Sequence, residues 1–286
     1  MDAKRWMMLR VLVNQYQPRK PEILLKALPQ EEIKAILSQE VQPDAIKFVC
    51  LSPEEILQKV HYSWLKPEIE KWPSPIREMI VLSLPEPQIS KLLPLCGTSA
   101  GMSPSSSSLT KKFMLSQFYA KLGYKEILPA ACLPISPLSP LIEWKKERLI
   151  ELLDLLSMYD LVAEVRQMID KNQVMRLQNA LSPLQRIFLR SLLPQKEKVT
   201  GTPLKLKDWN GVPQQLQQLL QKRGIARIGK ALCGQHPDFL WHLTHILDIG
   251  RGNLIASCYS TNSFPGVTPA LVQQVVNVMN FLNHKE

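Results

Sequence analysis

Proline punctuates this chain. Twenty-three prolines stand against 11 glycines in 286 residues, and they mostly open stretches whose apolar residues recur at helical spacing. The first turn of a helix has no partner for a backbone N–H, so proline costs nothing there and ends whatever came before. Such a chain reads as many short helices. Pro29, Pro53, Pro67 and Pro87 are each followed by an isoleucine two to four residues on (Ile33, Ile56, Ile69, Ile89). Leu28, Leu51 and Leu84 precede three of these starts and suit a hydrophobic staple. The carboxylate pairs Glu31/Glu32 and Glu54/Glu55 could pass for acid–base partners. Adjacent acids in a first turn are better explained by the positive end of the helix dipole. Ser74-Pro75 and Ser182-Pro183 open two similar segments, SPIREMIVLSLP and SPLQRIFLRSLLP, which suggests one helical plan in both halves. The expected fold class is all-α.

Gly97–Leu109 (GTSAGMSPSSSSL) is too small and polar to pack a core. The expected organisation is therefore a helical repeat-like domain at 1–96, a flexible Ser-rich linker at 97–110 and a helical domain at 111–286. Pro134, Pro137 and Pro140 recur every third residue and read as an extended connector. A helical pattern then runs from Leu141 through Met168 and Ile169. Asn253–Ser263 fits a short strand or a final helical turn. Thr268–Asn283 reads as a terminal helix, with Val272, Val275, Val276, Met279 and Leu282 apolar over more than one face.

Five cysteines (Cys50, Cys96, Cys132, Cys233, Cys258) are odd in number and widely spaced, which fits free thiols in a reducing compartment. The run Trp6–Leu9, broken by Arg10, makes a poor signal peptide, and no stretch reaches the ~18 apolar residues of a membrane span. The expected location is cytoplasmic, with no integral membrane segment. The net charge of +10 is uneven: residues 171–286 carry 14 Lys/Arg and 5 Asp/Glu, whereas 98–170 carry 8 of each. A basic C-terminal third implies an acidic protein surface, a membrane surface or nucleic acid.

Val212–Gly252 concentrates this charge with three of the five histidines. Pro213 and Pro237 read as helix starts, and Gly224, Gly234 and Gly250 as stops, giving three short helices. In the third, at about 100° per residue, Phe239, Leu240, Leu243, Ile246 and Leu247 share one face. Trp241, His245 and Asp248 lie opposite and need a second surface to cover them. Gly224–Lys230 matches G-x4-G-K, but Ala231 replaces the required Ser/Thr and no strand precedes it. Cys233, His236, His242, His245 and Asp248 offer zinc-ligand chemistry at spacings that suit no helical pair. Lys222, Arg223, Arg227 and Lys230, flanking a break at Gly224, could form a helix-turn-helix. The expected partner-binding set is Lys222, Arg223, Arg227, Lys230, Trp241, His245, Asp248 and Arg251. No catalytic, cofactor or metal residue is assigned.

LPQEEIKAILSQEVQPDAIKFVCLSPEEILQKV (Leu28–Val60) resembles the short-helix repeats of the flagellar motor-switch ring protein. The wider plan resembles the cytoplasmic sorting-platform components of type III secretion. The resemblance covers roughly residues 21–96. Neither a charged torque helix nor a metal-bridged motif is present, so no functional residue is carried over. It implies a non-enzymatic scaffold or adaptor in a bacterial membrane-associated assembly, peripheral at the inner face of the membrane. Its partners would be ring or sorting-platform proteins, with no cofactor. The alternatives are a nucleic-acid-binding protein using the basic 212–252 helices and a metal-dependent enzyme.

Overall fold

The computed structural model describes residues 3–16, 22–26, 28–39, 53–95, 107–122, 127–195, 203–204, 206 and 209–284; among them there is no strand. The helices are α1 (Ala3–Tyr16), α2 (Glu22–Leu25), α3 (Gln30–Leu37), α4 (Pro53–Lys59), α5 (Tyr62–Glu70), α6 (Ser74–Ser83), α7 (Glu86–Leu92) and α8 (Ser108–Lys121). They continue as α9 (Lys146–Leu156), α10 (Met158–Val165), α11 (Lys171–Ala180), α12 (Pro183–Leu192), α13 (Pro213–Ala231), α14 (Pro237–Ile246), α15 (Ile249–Cys258) and α16 (Val267–Asn283). Short 3-10 turns occupy Ala130–Cys132 and Ser139–Glu143. Among the described residues no helix is long and apolar enough to cross a membrane.

Two compact units share the chain. The first is Met1–Ser136 with His236–Gly252; the second is Pro137–Gln235 with Asn253–Glu286. This differs from a division at the Ser-rich stretch, most of which (97–106) lies outside the described residues, as do 40–52 with Leu51 and Cys50, and Cys96. The reason is α8, whose Leu115, Phe118 and Tyr119 are buried with Leu57, Leu65 and Ile80 in the core of the first unit. A segment following the polar stretch thus returns to the helices preceding it.

In the first unit α6 packs on α5, α7 and α8. Pro29 and Pro85 are the N-caps of α3 and α7, and Pro75 and Pro87 lie in the first turns of α6 and α7. Pro67 departs from this plan: it lies inside α5. That helix begins earlier because His61 Nδ1 accepts the Ser63 N–H (3.3 Å), a side-chain cap that fixes the start at Tyr62. The end of α4 is capped from a distance. Buried Gln88 donates to the carbonyls of Leu57 (3.2 Å) and Val60 (2.5 Å), which a helix end leaves without intrahelical partners. Val13, Leu25 and Ile36 form a separate small cluster joining α1, α2 and α3.

In the second unit α9, α13 and α16 pack on one another, and α10 packs on α12. Leu149, Leu152 and Leu156 of α9, Leu216, Leu220 and Ile228 of α13, and Leu271, Val275 and Val278 of α16 are buried. Each such side chain contributes about 1.5–3 kcal/mol of transfer free energy. Ser182 and Gln185 close a reciprocal capping box at the start of α12. Pro140 opens a 3-10 turn in place of the extended connector. The helix approaching Met168 ends at Val165, and Ile169 is 96% exposed.

The stretch 212–252 also folds differently from three glycine-stopped helices. Gly234, with φ +81°, does end its segment. Gly224 does not, because α13 runs through it. The third helix stops at Leu247, whose backbone is extended, and α15 then carries Gly250, Gly252 and the 253–258 stretch in helical form.

Candidate functional site

The expected binding residues fall into two groups, one in each unit. In the first unit, His236 caps α14: its Nδ1 accepts the Asp238 N–H (3.1 Å). The buried Asp238 carboxylate accepts the Leu128 N–H (2.9 Å), and His242 Nε2 donates to the Leu128 carbonyl (2.8 Å). Both backbone polar groups of Leu128 are thus held by α14, and burial holds His242 below its ordinary pKa.

One turn on, His245 is clamped between two indoles. Its ring centroid lies 4.1 Å from that of Trp241, tilted 22°, and 4.1 Å from that of Trp64, tilted 23°. Its Nδ1–H donates to the Trp241 carbonyl (2.8 Å). Burial lowers its pKa to about 4, so the imidazole is neutral at neutral pH. Trp64 reaches this position because α5 is tied to the end of α14. The His61 N–H donates to the His245 carbonyl (2.7 Å), Trp64 Nε1–H to the Leu247 carbonyl (2.9 Å), and the Ile249 N–H to Ser63 Oγ (2.9 Å). Gly252 allows the indole to lie against α15, since a Cβ there would stand 2.5 Å from Trp64 Cζ2 and 2.9 Å from the Thr244 carbonyl. Asp248 lies beyond the end of α14. Its Oδ1 accepts the Arg251 N–H (3.1 Å) and its other oxygen pairs with the Arg251 guanidinium.

The second surface that this stripe calls for is therefore supplied within its own unit: Trp64 covers His245, and Trp241 packs against the core. Truncating Trp241 to alanine is expected to lower folding stability by about 2 kcal/mol, below the 3–5 of a fully buried tryptophan because Trp241 is half-buried. Denaturant titration checks this. An unchanged midpoint would mean that the stack contributes nothing to the fold.

The stack also sets a pH dependence. The folded-state pKa of His245, about 4, lies below the roughly 6.5 of an unfolded chain. The unfolded chain therefore takes up the proton first. The stability that neutral His245 confers is complete above about pH 6.5 and is lost as pH falls towards 4, on the order of 3 kcal/mol in all. His242 is shifted the same way. Unfolding measured at pH 7, 5.5 and 4.5 should show this decline, and His245→Phe should flatten much of it. An equal slope in that variant would remove His245 as the cause.

In the second unit Lys222 and Lys230 are exposed, and half-buried Arg223 donates to the Pro203 carbonyl (3.2 Å). Arg227 is 6% exposed and cannot offer its charge to a partner. It donates to both carboxylate oxygens of Asp160 (2.5 and 3.2 Å) and to Gln274 Oε1 (2.5 Å), with Tyr159 5.7 Å away. The turn needed for a helix-turn-helix at Gly224 is absent as well: one continuous helix runs through Gly224 and carries Arg227 towards Asp160 of α10 and Gln274 of α16. Asp160 had a faint signal in sequence, as an acid inside the apolar run Leu152–Val162. Trp64 and Gln274 had none.

A cleft of about 900 Å³ in this unit is bordered by Trp144, Glu147, Glu151 and Ser182. The Arg148 guanidinium lies 4.5 Å from the Trp144 ring centre and donates to Asn283 Oδ1. Of the cysteines, Cys132 and Cys233 are buried free thiols, and burial raises Cys132 to about 11, far from a reactive thiolate. Among the described residues no group of three or more His, Cys, Asp or Glu is placed to hold a metal ion. No family model, curated protein or solved structure matches the chain.

Proposed function

We propose that the chain is a non-enzymatic scaffold or adaptor of a bacterial membrane-associated assembly of type III secretion or flagellar kind. It would act in the cytoplasm, peripheral to the inner face of the membrane. The observation that carries this reading is how the reactive side chains are used. His236 caps a helix, His242 and His245 donate to backbone carbonyls, and Arg227 and Asp160 are spent on each other. These five side chains, which a hydrolytic or metal site could have used, are bound into short stacked helices, which fits a part built to present surfaces. Its partners are proteins, and the exposed charges of Lys222 and Lys230 act chiefly on association rate.

Affinity capture from the native cell after crosslinking tests the reading. Enrichment of ring or sorting-platform components supports it; repeated capture without them overturns it. A nucleic-acid reading keeps one observation in its favour: Lys222 and Lys230 are exposed and eight residues apart, about 12 Å along α13. It predicts duplex binding that weakens steeply with salt and is lost on Lys222→Glu/Lys230→Glu.

A further inference from the structure

Helix α8 has two apolar sides with different fates. Leu115, Phe118 and Tyr119 are buried in the core of the first unit, while Leu109 is 78% exposed and Phe113, one turn on, is 59% exposed. Taking about 100° per residue, Leu109, Phe113 and the exposed Ala120 fall within about 40° of one another. Lys112 projects about 80° to one side of Ala120 and Lys121 about 100° to the other. Both lysines are exposed, and the helix SLTKKFMLSQFYAK contains no acidic residue.

We propose that this outer strip of α8 docks on a lipid bilayer carrying anionic headgroups. A helix lying in the plane of an interface places apolar side chains at the acyl boundary and cationic ones on its flanks. Lysine suits the flank, since its stem can follow the apolar layer while the ammonium stays among the headgroup phosphates. The flanking lysines complement anionic headgroups, and no acidic residue of the helix opposes them. Two apolar side chains insert too little area to hold the protein alone, so attachment is reversible and depends on anionic lipid, each nearby lysine adding a share of the attraction. The inference rests on α8 alone and is independent of the scaffold reading; a failed capture experiment leaves it standing.

Co-sedimentation of the full chain with extruded vesicles tests it. Binding is expected to vesicles of phosphatidylcholine with 30 mol% phosphatidylglycerol (roughly the anionic load that attracts polybasic segments), and not to phosphatidylcholine alone. Lys112→Gln/Lys121→Gln should weaken that binding about 30-fold, and added salt should weaken it progressively. Leu109→Ser/Phe113→Ser should weaken it at least about tenfold with an unchanged melting temperature, since both side chains face outward. Vesicle binding that survives the serine variant, equal binding to both vesicle types, or no binding to either overturns the proposal. If the chain ignores vesicles but self-associates through Leu109 and Phe113, the strip is a protein contact and the lipid reading is also overturned.

Discussion

Arg227→Ala should destabilise the second unit by about 3–5 kcal/mol, and Asp160→Ala by a similar amount, because each leaves a buried charge without its partner. The geometry makes the case. The guanidinium meets the carboxylate through two nitrogens and Gln274 through a third, and the side chains of Arg227 and Asp160 are 7% and 5% exposed. Water cannot replace a lost partner there. Removing both charges is a different experiment. Asp160→Leu/Arg227→Met substitutes apolar volume for the pair, and the double variant should recover most of the stability lost by either single one. Urea titrations of the parent, Asp160→Leu, Arg227→Met and the double variant form the cycle. If the single variants lie within about 1 kcal/mol of the parent, the pair is not buried as described. A binding defect in an Arg227 variant is consequently no evidence of a partner contact until its fold has been checked.

The helices were legible in sequence where their ends are fixed by local chemistry. Ser182-Pro183 with Gln185 opens α12 through a capping box that needs only four consecutive residues. Pro87, read with Ile89 as a helix start, likewise lies in the first turn of α7. Legibility failed where a residue type has two uses. Glycine can stop a helix or let another backbone approach it, and the sequence around Gly224 does not say which. It failed again where the deciding partner is distant. Arg227 reads as a surface cation until Asp160, 67 residues away, accepts its hydrogen bonds. The uncovered stripe of Trp241 and His245 was visible in the periodicity of α14. Its cover was not, since Trp64 reaches the end of α14 across 183 residues, through its bond to Leu247. The break in composition at 97–109 is real, but composition does not say where α8 packs.

Gly224→Ala separates the two uses of that glycine. In the middle of a solvated helix the change gains up to about 1 kcal/mol, because alanine restricts the unfolded chain and favours the helix. Here a Cβ would stand 1.9 Å from the Leu153 carbonyl oxygen and 2.8 Å from its carbon. Both atoms are backbone of α9, so no side chain can swing aside and the two helices must separate. Separation loosens Leu149, Leu152 and Leu156 against Leu216, Leu220 and Ile228, all buried. The expected cost is roughly 3 kcal/mol or more, at the upper end for overpacking. Gly250→Ala provides the contrast. It is also helical, and its Cβ would meet only Asp248 Oδ1 at 3.4 Å, so stability should hold or rise by about 0.5–1 kcal/mol. Thermal and denaturant unfolding of both variants give the answer. If Gly224→Ala is as stable as Gly250→Ala, then α9 and α13 do not cross at this residue, and Gly224 is the helix break that its neighbouring residues suggest.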